Sequence, residues 1–512
     1  MTRRWTLTAL LVATLALAFS GASGPWVACW PALVSLTVIV LTRQAVTGLA
    51  VGLLTGCLLI AKGQPGETLR TLFEDHLFPA LLGPWHVGAL VFTLLLGAFA
   101  GILESSGGFE TLLRRMLGRG RAGERVLGAT YGIGLLCFFD GLANSLLLGR
   151  IARPAADHAG VPREKLAWVV DSTSSPVACV AFLSTWIATQ LSLIGDSLPG
   201  KDPYALYFQS IPANPYCLLT LAMIPLALLW RWEPGPMKHC RPVKAPADSG
   251  KKESDCPIWR VLLPLAALAL SIAFFFQLLS GEPVRLFSLD AWRAAASSSA
   301  GPAALVAGAV VGLLTALACH PRPTAAKDSA ILGAAGLLPA LIILVLAWAL
   351  GSVFSAMGAA EAIQKALQTA VPPDWLPLTI FFSAAVISFS TGSSWGTMAL
   401  VMPLALGSAA VAPGFDPALF PAVIGAVFGG AVFGDHASPF SDTSIVSAHA
   451  SGCETTAHAW TQLPYALTVA VASILAYAMI ALGSPAWLST LAAGIGLLLL
   501  IRILTLRRKS AG

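Results

Sequence analysis

Apolar stretches of about 20 residues follow one another along almost the whole 512-residue chain, and few folds can accommodate that. A segment in hydrocarbon must satisfy its own backbone N–H and C=O groups, which leaves helices or closed barrels. The runs are continuous, without the alternation of a barrel strand, so helices are predicted. Only 11% of residues are charged, against roughly 25% in soluble domains. The fold class is therefore an all-α polytopic membrane protein, and its expected location is the lipid bilayer of the cell (inner) membrane.

Helices are predicted at 5–22, 26–41, 44–61, 86–104, 214–231, 258–279, 300–318, 329–356, 463–482 and 485–506. Four further apolar regions, 125–155, 166–194, 376–410 and 418–447, are interrupted by polar, Gly- or Pro-bearing patches. The first 24 residues fit a secretory signal and an uncleaved helix equally well. The chain then divides into N-terminal helices (1–61), a first repeat (86–231), a flexible Pro-, Lys- and Ser-rich linker (232–257), connecting helices (258–318), a second repeat (329–482), and a C-terminal helix with a basic tail (485–512).

The net charge of +6 sits in loops, so it reads as topology and not as a nucleic-acid footprint. The linker carries Lys238, Arg241, Lys244, Lys251 and Lys252, and the segment after 86–104 carries Arg114, Arg115, Arg119, Arg121 and Arg125. Both are therefore expected in the cytoplasm, as is the C-terminal "LRRKSAG". Three apolar regions separate Arg125 from Arg231, an odd number between two cytoplasmic marks. One must enter and leave on the same face. The region 125–155, broken at "FFDGLANS" (138–145), is predicted to be a re-entrant hairpin, and 376–410, broken at "STGSSWGT" (390–397), its counterpart.

An offset of 251 residues lays "GAFAGILESSGGFETLLRRML" over "WALGSVFSAMGAAEAIQKALQ", matching Gly107 with Gly358 and Glu110 with Glu361. The same offset lays "FFDG" on "FSTG", and a further insertion of about 12 residues lays "DSTSSPVA" (171–178) on "GDHASPFS" (434–441). The loop charges send 86–104 inward and 329–356 outward, so two inverted-topology repeats are predicted, each with a re-entrant hairpin and a broken transmembrane helix. Interrupted helices in corresponding positions of two halves mark transporter binding sites.

The polar residues of these interruptions are the candidate ion- or substrate-binding set. The first tip offers Asp140, Asn144 and Ser145, and the first broken helix Asp171, Ser172, Thr173 and Ser175. The second tip offers Ser390, Thr391, Ser393, Ser394 and Thr397, and the second broken helix Asp435, His436, Ser438, Asp442 and Thr443. Intramembrane carboxylates cost several kcal/mol and mark ion or proton paths. The donors are oxygens without sulfur, which suits a hard cation such as Na⁺. Asp140, Asn144, Thr391, Ser394 and Asp435 are the sodium candidates. Asp171 also reads as a helix cap, and His458 as a solvated loop residue.

The stretches "GDHASPFSDTSIVSA", "STGSSWGTMALVMPLAL", "FFDGLANSLLLGRIARPAADHAGVPREKLAWVVDSTSSPVA" and "TQLPYAL" resemble the signatures of the NhaC-type Na⁺/H⁺ antiporter family, over roughly 26–231 and 329–482. The resemblance implies exchange of Na⁺ for protons by an elevator-like alternating access, no cofactor beyond those ions, and a homodimer. It equally implies a rival, since some members exchange organic acids: a sodium- or proton-coupled carrier of an organic acid or amino acid on the same fold. Family tips commonly read Phe-Asp-Asp, whereas Gly141 follows Asp140 here. An intramembrane hydrolase is the other class that Asp, His and Ser would suit, but no GxSxG or HExxH pattern accompanies them.

Overall fold

The computed structural model describes residues 11–19, 25–42, 44–117, 123–181, 184–243, 256–281, 301–359, 371–439 and 441–510. Helices dominate, and no strand occurs among the described residues. The long elements are α1 (Pro25–Thr42), α2 (Ala45–Ile60), α3 (Pro84–Ser105), α4 (Gly108–Leu117), α5 (Gly123–Leu136), α6 (Gly141–His158), α7 (Arg163–Val180), α8 (Thr185–Ser197) and α9 (Pro215–Trp230). After the linker come α10 (Trp259–Leu278), α11 (Gly301–Cys319), α12 (Pro323–Gly336), α13 (Leu338–Ala356), α14 (Leu376–Thr391), α15 (Ser394–Val411), α16 (Phe420–Ala437), α17 (Asp442–Ser451), α18 (Thr455–Ala481) and α19 (Ala486–Ser510). Among the described residues ten helices are long and apolar enough to cross a membrane, or eleven with α7 and α8, bent by 48°, taken as one span.

Each half contains two helix–break–helix units. In the first half α5 gives way to α6 across 137–140, and α7 to α8 across 181–184; in the second, α14 to α15 across 392–393, and α16 to α17 across 438–441. Every restart has a side-chain cap on its open N–H groups. Asp140 accepts from Ala143 N, Ser184 from Ile187 N, Ser393 from Gly396 N and Ser441 from Ser444 N. Carbonyls freed at the end of α7 are taken up by Ser184 Oγ on Ala178 O (2.7 Å) and Tyr207 OH on Ala181 O (2.6 Å). Pairing of these described groups favours irregular backbone in the protein interior.

Gly107 and Gly358, matched at offset 251, both hold left-handed conformations after a helix, with φ of 75° and 68°. At the second break Ser184 and Ser441 cap at offset 257. This corrects the alignment of 171–178 on 434–441. Ser438 and Pro439 lie in a break, whereas Ser175 and Pro176 lie inside α7. The hydroxyls explain why α7 continues: Thr173 Oγ1 donates to Val169 O (2.8 Å) and Ser174 Oγ to Asp171 O (2.8 Å), so they turn back onto their own helix. Asp171 is thus mid-helix and caps nothing.

The predicted helix 329–356 lies within one span, Pro323–Ala356, interrupted only at Leu337 between α12 and α13, where Pro339 near the start of α13 cannot continue the hydrogen-bond ladder. The expected flexible linker 232–257 is docked over its first residues. Trp232 and Met237 are buried, and Lys165 Nζ pairs with Glu233 at 2.6 Å. Residues 244–255 lie outside the described residues.

Packing is closest where small residues meet. A Cβ on Gly434 of α16 would stand 2.3 Å from Ser388 Cβ and 2.4 Å from Phe389 N, and one on Gly430 would stand 2.5 Å from Phe381 O. Only glycine lets α14 lie this near α16. That contact brings Ser394, just after the break at 392–393, within reach of Asp435.

Candidate functional site

Asp435, in the last turn of α16, is 1% exposed. Its Oδ2 accepts from Ser175 Oγ of α7 (3.1 Å), Ser394 Oγ of α15 (3.3 Å) and Thr443 Oγ1 of α17 (3.0 Å), and its Oδ1 from Ser441 Oγ in the break. Four hydroxyls from three different pieces of chain thus converge on one carboxylate. The first tip reaches the same place. A Cβ on Gly141 would stand 3.6 Å from the backbone of Ser174 and Ser175, so the residue after Asp140 rests against the segment that supplies Ser175.

Asp140 is 3% exposed and also accepts from Thr185 Oγ1 of α8 (2.9 Å). It borders a cavity of about 590 Å³ that runs past Ala143 and Leu146 to Glu104 and Arg150, which pair at 3.0 Å. Another cavity, of about 340 Å³, lies at the opposite end of α3, lined by His76, His86, Asp196 and Trp348 among others.

Asp171 forms a separate centre. Its Oδ2 accepts from Ser444 Oγ (2.9 Å), Gln462 Nε2 (2.6 Å) and His458 Nε2 (3.2 Å), and its Oδ1 from Ser447 Oγ (3.1 Å). Ser145 Oγ lies 3.1 Å from Ser447 Oγ and can donate to it. His458 is fully buried, contrary to the expectation of a solvated loop, because α18 begins at Thr455 and carries it inward against α7.

The remaining candidates lie near these centres but bond elsewhere. Asn144 Nδ2 donates to Gly134 O (3.0 Å) and Thr173 O (3.1 Å), tying the two arms of the first hairpin to α7. Thr391 Oγ1 turns to Ser388 O and Thr397 Oγ1 to Ser393 O, while Ser393 caps α15. Thr173 bonds its own helix, Ser172 is buried on α7, and Ser438 ends α16 with its N–H on Gly434 O. His436 Nδ1 lies 3.1 Å from Tyr216 OH. The side chain of Asp442 lies outside the described residues.

Sequence reasoning missed Ser441, Ser444, Ser447, Gln462, His458 and Thr185. The three serines at spacing of three in "SDTSIVS" would mark one helical face. No comparable signal singles out Thr185.

The overall fold is shared with the YdaH transporter of Alcanivorax borkumensis, which is 18% identical, with a TM-score of 0.52 over 83% of this chain and 90% of that one. An uncharacterized protein of Haemophilus influenzae is 28% identical over 88% of this chain and 90% of its own length. A malate-2H⁺/Na⁺-lactate antiporter of Bacillus subtilis is 29% identical over 26% of this chain and 27% of its own. An uncharacterized Na⁺/H⁺ antiporter of H. influenzae is 36% identical over 24% and 25%. Fold, apolar helices and relatives together define a multi-pass secondary transporter. The model of the Na⁺/H⁺ antiporter family matches residues 165–482, and the chain belongs to that family.

Proposed function

We propose that this protein exchanges Na⁺ for protons across the cell membrane, with Asp435 as the carboxylate that holds either ion. The observation that carries this reading is the set of hydroxyls around it, from Ser175, Ser394, Ser441 and Thr443. A hydroxyl both donates and accepts. The same oxygens that donate to the empty carboxylate can rotate and offer lone pairs to Na⁺.

Magnitudes favour a site that empties and refills. Burying a carboxylate costs several kcal/mol, and a hydrogen bond to a charged group returns about 1.5–3 kcal/mol. Four such bonds hold the ionised form without a cation, yet a proton or Na⁺ still removes the charge. The neutral, loaded site crosses between faces, while the empty anion crosses poorly, and this difference produces exchange. Asp140 stands beside the path from the Glu104–Arg150 end, and the cavity at His86 is the vestibule for the other side. The two repeats are inverted, the breaks at Asp140 and Gly392 are re-entrant tips, and the broken elements move elevator-like against α1–α3 and α10–α13. The Lys- and Arg-rich linker and the C-terminus face the cytoplasm, and the assembly is a homodimer.

A second reading, a carrier of an organic acid or amino acid, draws on the size of the Asp140 cavity, the nearby Arg150, and the partial likeness to a malate–lactate antiporter. Purified protein in liposomes with an internal pH-sensitive dye separates the two. An imposed Na⁺ gradient is expected to change internal pH with no other solute present. A change that appears only when a carboxylate or amino acid is added would replace the first reading with the second.

A further inference from the structure

Asp435 and Asp171 are both buried and both ringed by donors, yet the donors differ in kind. Those around Asp435 are hydroxyls, each able to turn and coordinate a cation. At Asp171 two of the four are nitrogens, Gln462 Nε2 and His458 Nε2. The amide of Gln462 cannot turn over without loss, because the same Nε2 also donates to His436 O at 2.9 Å. A nitrogen that donates its N–H to Asp171 has no lone pair to turn towards a cation, so this ring of donors is a poorer cage for an ion than the hydroxyls at Asp435.

What Asp171 holds is α17. Ser444 and Ser447 lie one turn apart on that helix and both point at the Asp171 carboxylate, on α7. Ser444 Oγ also lies 3.3 Å from Asp435 O, bridging the two centres. The chain just ahead of Ser444 supplies Ser441 and Thr443, two of the hydroxyls on Asp435. Resting on the exchange reading, we infer that Asp171 is a positioning residue: it docks the first turn of α17 against α7, and so sets the cation affinity of Asp435 without touching the ion.

Removing a partner that orients a metal ligand typically costs 10–100-fold in affinity. Asp171→Asn, which cannot accept from all four donors, is therefore expected to raise the Na⁺ concentration for half-maximal exchange at least about tenfold. The maximal rate at saturating Na⁺ and the Na⁺/Li⁺ preference stay near wild type. Ser444→Ala should shift the same constant in the same direction, and the double variant should be no worse than Asp171→Asn alone, since both act through one contact. Loss of exchange at saturating Na⁺, an unchanged half-saturation, or effects that multiply in the double variant would each overturn the inference. If Asp171→Asn fails to fold, Ser444→Ala combined with Ser447→Ala carries the same expectation and the same refutation. Hydrogen exchange of the 441–447 amides supplies a readout independent of the transported ion. It should rise in Asp171→Asn, and unchanged protection there would defeat the inference. Absence of Na⁺-driven proton movement in the wild type would instead defeat the exchange reading.

Discussion

Among the side chains outside the membrane-spanning helices, Cys240 shows how local surroundings set reactivity. It follows the turn at Gly235–His239, where burial, and then the Glu164 and Glu233 carboxylates, push its thiol up to about 11. Only the thiolate reacts with maleimide. A raised value means less thiolate at neutral pH, so Cys240 should label slowly near pH 7. Its rate should climb about tenfold per pH unit towards the thiol's own value. A rate that levels off below pH 9 would show that these residues are not docked as described. At Asp435 the same scale governs the proposed ion site. Four hydroxyls from three pieces of chain make a small oxygen cage, and any shift in one piece alters the cage.

At the level of elements, the four breaks decide everything that follows. Each places a capping side chain at a helix restart, and the second half needs α14 and α16 in near backbone contact to deliver Ser394 to Asp435. Gly434→Ala would force a Cβ into Ser388 and the Phe389 backbone. Overpacking of this kind typically costs about 1–3 kcal/mol. A clear drop in the thermal midpoint of the purified protein is expected, and an unchanged midpoint would mean that the two helices have room to part. This level also shows what the sequence disclosed and what it hid. Gly392, Pro439 and the "FFDG" tip punctuate apolar runs, and such punctuation is local, so all four breaks fall in regions that the sequence marks as interrupted and three fall at the marked residues. The break at 181–184 was misplaced because Thr173, Ser174 and Pro176 look like helix breakers in sequence. In the fold the hydroxyls satisfy their own helix, while the true break has only Ser184 as its local sign. His458 and Gln462 were passed over because their role depends on α18 lying against α7. No short-range pattern records such a long-range contact.

For the whole molecule, the observed centre joins pieces that are some 260 residues apart in sequence, Ser175 and Asp435, in a single hydrogen bond. Ser175 and Asp435 therefore meet at a crossing between the halves, where the movement that the exchange proposal calls for would change the cage. This is what an exchanger requires: a site whose affinity depends on which face is open. The most direct test adds Na⁺ to the detergent-solubilised protein in weak buffer, at a pH where the site is protonated, and records released protons. A ligand that must deprotonate before it binds a metal ion releases its proton on binding. Wild-type protein should release about one proton per chain, with none from Asp435→Asn. Sodium binding without proton release, or release undiminished in Asp435→Asn, would contradict the claim that one carboxylate holds both ions in turn.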